Sequence, residues 1–195
     1  MDARAQTNSL PSELADELIL IRPYREADAE LLYEAVRESI AEVSPWLPWC
    51  HENYSIAESR EFIAARSIIS QGDEWYSFGI FDKASRRFCG GVGLNFINRV
   101  HQIANLGYWV RTSAAGRGVA TRATRLAARF GFETLGLHRI EIVAAVDNVA
   151  SQHVAERAGA RREGVLRKRL LIQGQPRDAV MYSLVAEDLK WHRRP

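Results

Sequence analysis

The sequence predicts an α/β (α+β) domain, a mixed sheet with helices on both faces. Three observations carry this prediction. Strand-like and helix-like segments follow one another in the order β-α-α-β-β-β-α-β-α-β-β, with no internal repeat, low-complexity tract or dividing linker. A glycine-rich turn, Gly116-Arg117-Gly118, joins a strand pattern directly to a helix pattern. A length of 195 residues, 47% of them hydrophobic, suits one domain with one sizeable core. The expected organisation is a loose lead-in over residues 1–16 and a single domain over 17–195.

Leu18-Ile19-Leu20-Ile21 reads as the first strand, ended by Pro23, which removes a ladder donor. Leu31, Leu32, Ala35 and Val36 recur at helical spacing, so residues 26–39 should be helix. Ser55-x-x-Glu58 is a capping box opening a second helix that runs to Ser70, with Ala57, Phe62, Ile63 and Ile69 as its apolar positions. Residues 75–81 and 88–97 read as antiparallel neighbours across the turn Asp82-Lys83-Ala84-Ser85. Gly90-Gly91-Val92-Gly93 lacks the Lys-Ser/Thr and the helix that would follow in a P-loop, so a bulged strand is expected there. A strand over 104–110 feeds the glycine turn. The helix behind it has one apolar face, Val119, Ala123, Leu126, Ala127 and Phe130, and stops at Gly136. Residues 139–146 form a strand, Ser151 to Ala158 a short helix ended by Gly159, and 162–172 with 176–185 a hairpin through Gln173-Gly174-Gln175.

Composition narrows the function classes. With 26 basic and 24 acidic residues the net charge is +2, which gives no overall bias towards nucleic acid or an anionic membrane. The basic residues Arg161, Arg162, Arg167, Lys168 and Arg169 alternate along a strand in the manner of a solvated face, and no nucleic-acid partner is expected. Two cysteines, Cys50 and Cys89, are too few for a disulfide scaffold and fit a reducing compartment. Residues 1–17 carry acids and no apolar run, so neither signal peptide nor membrane span is read there, and a cytoplasmic location is expected. The five histidines show no metal-ligand spacing, so no metal is expected.

The run Gly116-Arg117-Gly118-Val119-Ala120-Thr121 reads as a diphosphate cradle. Two glycines in three positions let the backbone turn into the helix without a Cβ in the way, and the amides of 116–121 can converge on an anion. The helix adds its positive dipole end and its unpaired first-turn donors. Arg117 and Arg122 lie close enough along the chain to meet phosphates.

This cradle resembles the acyl-CoA-binding signature of the GNAT N-acetyltransferase superfamily, (Gln/Arg)-x-x-Gly-x-(Gly/Ala) between a strand and a helix. Gly118-Val119-Ala120 matches its end, while Ala115 stands at its first position. Trp46-Leu47-Pro48-Trp49, Gly107-Tyr108-Trp109-Val110, Asn148-x-x-Ser151, Glu156-Arg157-Ala158-Gly159-Ala160, Glu163-Gly164 and Asp178-Ala179-Val180-Met181-Tyr182 resemble, in order, the RimJ/RimL-like branch that acetylates ribosomal-protein N-termini. The resemblance covers residues 18 to 186. It implies a mostly antiparallel sheet with a splayed central strand pair, acetyl-CoA as cosubstrate, and direct transfer to a primary amine, either a peptide N-terminus or a small molecule. It also implies a homodimer as a possible assembly.

The same resemblance assigns residues. Trp109 and Val110 would pair with the pantetheine arm as an added strand, Tyr108 would lie at the cofactor beside them, and the Val110 N–H would be the oxyanion donor, the service that contributes most in acyl transfer. Ser151 would lie near the sulfur and Asn148 beside the cofactor. By position alone Ser151 also reads as the cap of a short helix, and both roles can coexist. Trp46, Trp49 and Tyr54 would line the acceptor side, although aromatic residues in a loop equally suit a hydrophobic plug or a dimer contact. Family carboxylates that serve as general base are replaced by Asn105 and Leu170. Deprotonation through water is therefore expected, which is easier for an α-amine of pKa about 7.7 to 8.0 than for a lysine at about 10.4. The other reading in view is a non-catalytic acyl-CoA-binding module.

Overall fold

The structure is a computed structural model that describes residues 11–67 and 75–189. Its elements, in chain order, are β1 (Leu14–Ala15), β2 (Ile19–Pro23), α1 (Ala29–Glu38), α2 (Ile40–Val43), α3 (Ile56–Ser67), β3 (Tyr76–Asp82) and β4 (Phe88–Asn98). There follow β5 (Ile103–Val110), α4 (Val119–Glu133), β6 (Arg139–Ala145), α5 (Val149–Ala158), β7 (Arg161–Ile172) and β8 (Gln175–Leu184). The strands form one sheet in the order β1-β2-β3-β4-β5-β6-β8-β7. Every neighbouring pair is antiparallel except β5 and β6.

The predicted order stands, with two short additions. Leu14–Ala15, inside the expected lead-in, pairs with Ile21 and Leu20 as an edge strand. Asp16 closes the turn between them by accepting the Leu18 and Ile19 amides at 2.8 and 2.9 Å. The other addition is α2, a single turn after α1. Residues 1–10 lie outside the described residues, as do Ile69 and Ser70 at the expected end of the second helix.

Alternation along each strand distributes the core to two faces. Ile19 and Ile21 join Phe78, Ile80, Leu94, Leu106 and the buried side of α4, whereas Leu20, Phe81 and Phe88 join α1, α3 and the loop after α2. The predicted apolar face of α4 is buried throughout, and Phe130 stands edge-on to Tyr76 and Phe78, each at 5.3 Å. Removing a side chain of that size from water is worth about 1.5 to 3 kcal/mol. Two predicted core positions are exposed. Leu31 is on the outer side of α1, and on α3 the inward position is taken by Ser59, not Ala57. The capping box of α3 is present, Glu58 Oε2 accepting the Ser55 amide at 2.8 Å.

The glycine-rich strand is bulged as expected. Ile80 faces Gly90 and Phe81 faces Phe88, so Cys89 is supernumerary, and Gly90 takes φ +147°, which a side chain would resist. On its other edge β4 carries β5, the strand that positions the site.

Candidate active site

The central strands part. β5 pairs with β6 only over Ile103–Asn105 against Arg139–Glu141. Beyond that point β6 continues beside β8, Ile142 facing Tyr182 and Ala145 facing Ala179, while β5 continues beside β4, Gly91 facing Trp109. The space between Leu106–Val110 and Ile142–Ala145 is a cleft of about 640 Å³, closed at one end by the start of α4 and flanked by α5, residues 46–48 and Leu170–Ile172 of β7. This is the splayed pair that the resemblance implied.

The direction of the backbone groups along the cleft follows from the ladder. The Arg111 amide donates to the Cys89 carbonyl at 2.9 Å, towards β4. Amides alternate sides along a strand, so those of Tyr108 and Val110 point away from β4, into the cleft, where β6 has already diverged, whereas the Trp109 backbone, expected on the pantetheine arm, is turned to Gly91 of β4. Side chains alternate too. Tyr108 and Val110 pack with the α4 side of the core, and Trp109 with the α1/α3 side.

The cradle has the backbone its glycines imply. Gly116 and Gly118 stand at φ +74° and +76°, and a Cβ at either would meet no protein atom within 4 Å. Glycine serves conformation here and leaves open space above the backbone. Gly118 is the N-cap of α4 and supplies no side-chain cap; its carbonyl accepts the Arg122 amide at 3.0 Å. The amides of Val119, Ala120 and Thr121 precede the first intrahelical donor and have no helical acceptors, and all three residues line the cleft. Such a cradle, open and rimmed by unpaired donors at a helix start, fits a diphosphate. Arg122 is committed elsewhere, paired with Asp16 at 2.8 Å. Arg117 is exposed and does not line the cleft.

Across the cleft, Tyr108 reaches α5. Its hydroxyl donates to the Ser151 carbonyl at 2.8 Å and lies 3.0 Å from Ser151 Oγ. A phenol has one proton, so in the second contact Ser151 is the donor. Burial pushes the Tyr108 phenol up to about 12, which keeps it protonated. The cap of α5 is Asn148, not Ser151. Asn148 Oδ1 accepts the Ser151 amide at 3.1 Å, leaving the Ser151 hydroxyl to the cleft and to Tyr108. Gln152 ties the end of β6 to the same helix by donating to the Ala145 and Val146 carbonyls at 3.2 and 2.7 Å.

The aromatic segment divides. Trp46 lines the cleft with Leu47 and Pro48. Trp49 and Tyr54 do not; they belong to a cluster on the opposite face of β5, with Trp49 edge-on to Trp109 at 5.4 Å and to Tyr54 at 6.3 Å. Tyr54 is buried, its hydroxyl accepting from Ser59 at 3.0 Å. Trp109 explains the division, because its side chain leaves the strand on the α1/α3 face and draws Trp49 there. Sequence reasoning named Leu170 only as the replacement of a family carboxylate and passed over Leu171 and Ile172, which line the cleft with it, and His153 and Arg157 on the rim. The one signal for the former was an apolar triplet ending a strand otherwise rich in basic residues.

Among the residues lining the cleft the only carboxylate is Glu42, and its Oε2 accepts the Thr112 hydroxyl at 2.8 Å. Asn105 donates to Asn95 Oδ1 at 2.8 Å. Burial raises both cysteine thiols, which disfavours their thiolates. No group of three or more metal-ligating side chains occurs among the described residues.

Comparison with known proteins agrees with this geometry. Residues 19–161 match the family model described as an acetyltransferase (GNAT) domain. The chain is 32% identical over 174 residues to YdaF of Bacillus subtilis (strain 168), whose name proposes a ribosomal N-acetyltransferase, covering 89% of this chain and 94% of that protein. It is 27% identical to the ribosomal protein uS5-alanine N-acetyltransferase of Escherichia coli (strain K12), covering 90% and 91%. Among solved structures, the microcin C7 self-immunity acetyltransferase MccE in complex with acetyl-CoA and AMP aligns with a TM-score of 0.81 at 27% identity, covering 90% of this chain and 97% of that one.

Proposed function

Because the chain belongs to the acetyltransferase (GNAT) family and is an acetyl-CoA-dependent N-acetyltransferase, we propose that it acetylates the α-amine of a polypeptide N-terminus, with a ribosomal protein as the leading candidate. The relatives named for ribosomal acceptors support that class. The observation that carries it is the charge of the cleft. A polyamine is bound by matching several positive charges, and the cleft wall carries one carboxylate, Glu42. Trp46, Leu47, Pro48 and Leu171 offer an apolar wall instead. An α-amine is also partly neutral near a pH of about 7.5, so no dedicated base is required.

Acetyl-CoA supplies an activated acetyl thioester. The amides of residues 116–121 hold its diphosphate, and β5 offers the Tyr108 and Val110 edge to the pantetheine arm. The Val110 N–H donates to the acetyl carbonyl oxygen as negative charge builds there. Ser151 Oγ turns its proton from Tyr108 to the departing sulfur and recovers one through solvent from the amine. Asn148 holds the amide of Ser151, and Tyr108 holds its carbonyl and orients its hydroxyl. The acceptor enters between Trp46 and Leu170–Ile172. No described helix is long and apolar enough to cross a membrane, and we place the reaction in the cytoplasm.

The test is a thiol-release assay with acetyl-CoA and parallel acceptors: N-terminal peptides of ribosomal proteins, the same peptides with blocked α-amines, spermidine and an aminoacyl nucleotide. Turnover is expected with the free peptides and lost on blocking. Turnover confined to spermidine or the nucleotide would overturn the acceptor assignment.

A further inference from the structure

The cradle is approached by residues 111–115, a short lead-in whose position is set from outside the cleft. The backbone amide of Thr112 donates to Ser39 Oγ at 3.0 Å. Ser39 is fully buried at the end of α1 and donates in turn to the Ala35 carbonyl at 2.7 Å. Glu38 Oε1 accepts the Ser113 amide at 2.7 Å, and Glu38 Oε2 accepts from Arg111 Nε at 3.0 Å and from Arg111 Nη2. The Arg111 guanidinium also donates to the Phe88 carbonyl at 3.2 Å, and Arg87 donates to the Ser113 hydroxyl at 2.6 Å. Thr112 Oγ1 reaches Glu42 on α2.

Two consecutive amides of the lead-in are thus bound by two consecutive side chains of one helix end, 73 and 75 positions earlier in the chain. The turns that follow are closed by the lead-in itself, Ala114 and Ala115 donating to the Arg111 and Thr112 carbonyls at 2.9 and 3.1 Å. Gly116 comes next, and with glycines at both 116 and 118 the cradle has little stiffness of its own. Its placement is inherited from residues 111–115.

We propose that the C-terminal end of α1 is the positioning device of the cofactor cradle, with Glu38, Ser39 and Arg111 as positioning residues for acetyl-CoA. None of the three lines the cleft. They hold the lead-in where the amides of 116–121 converge, so their loss weakens cofactor binding while leaving chemistry on the bound complex intact. This rests on the reading that residues 116–121 hold the diphosphate.

The experiment measures coenzyme A affinity by calorimetry and kcat at saturating acetyl-CoA, well below each melting temperature, for Glu38→Gln, Ser39→Ala, Gly118→Asp and Arg139→Gln. The last breaks the ion pairs of Arg139 with Glu141 and Glu163 at the far end of β6 and controls for general loss of stability. The expected result is coenzyme A affinity about tenfold weaker in Glu38→Gln and Ser39→Ala, the scale on which misplaced binding groups are felt, with kcat within about twofold and Arg139→Gln binding normally. Normal affinity in Glu38→Gln and Ser39→Ala, with Gly118→Asp defective, overturns the positioning role alone. Normal affinity in Gly118→Asp overturns the cradle and the proposal together. Equal weakening in Arg139→Gln, or a kcat loss without an affinity loss, also overturns it. Should Glu38→Gln fail to fold, Arg111→Lys, which keeps the charge but loses the Nε donor to Glu38 Oε2, takes its place under the same expectations.

Discussion

Ser151 shows how one residue's role depends on its neighbours. Its place at the start of a helix suggested a cap, but the cap is Asn148, whose side chain takes the Ser151 amide. The two residues should therefore separate on substitution. Asn148→Ala should cost about 0.5 to 2 kcal/mol of stability, read as a lower melting temperature. Ser151→Ala should leave that temperature nearly unchanged and lower kcat about 10- to 100-fold, the low end for a general acid because a thiolate leaves readily, with little change in the KM for acetyl-CoA. An unchanged kcat would remove Ser151 from the chemistry. Tyr108 was expected at the cofactor. Its side chain has a second task, since the phenol spans the cleft to Ser151, a contact 43 positions apart in sequence that no local pattern announces.

At the scale of elements, the turn from β5 into α4 is where we propose that the diphosphate binds. Both cradle glycines hold positive φ with open space above them. Gly116→Ala should therefore cost about 1 to 2 kcal/mol through backbone conformation rather than collision, and weaken coenzyme A binding moderately. Gly118→Asp adds a carboxylate where the diphosphate is expected and should abolish detectable binding in calorimetry. The two variants together distinguish strain from charge: equal losses would mean that conformation alone matters. The cradle was legible in sequence because a glycine pair between a strand and a helix is a local pattern. The division of Trp46 from Trp49 was not, because it depends on which face of β5 carries Trp109 and on a loop that returns to meet it.

At the scale of the whole molecule, two ion pairs tie distant segments and make stability depend on pH. Hydrogen bonding to Arg111 holds the Glu38 carboxyl down to about 2, and hydrogen bonding to Arg139 does the same for Glu163. An unfolded glutamate titrates near a pH of about 4.3. Each group is ionised more readily when folded, so its contribution is fully present above that value and is lost as pH falls from about 4.3 towards about 2. Acid unfolding followed by circular dichroism should steepen in that window. The double variant Glu38→Gln/Glu163→Gln should be less stable at neutral pH and show a flatter dependence below a pH of about 4.3. An unaltered slope would mean that other carboxylates govern acid unfolding.

By itself the sequence determined the order of elements and the glycine turn, because each is written in local spacing: apolar periodicity, a capping box, a glycine pair, a hairpin turn; the family was reached through resemblance of ordered motifs. The splay of β5 from β6 was foreseen only through resemblance, since strand patterns do not encode which neighbours stop pairing. Tertiary structure alone decided how the site is built. It turned the Val110 amide into the cleft, brought Tyr108 to Ser151 and sent Tyr54 into the core. It also bound the cradle's lead-in to the end of α1. Hydrogen bonds and ring contacts between residues tens of positions apart depend on how the sheet twists and which face each side chain takes, and chain spacing carries neither.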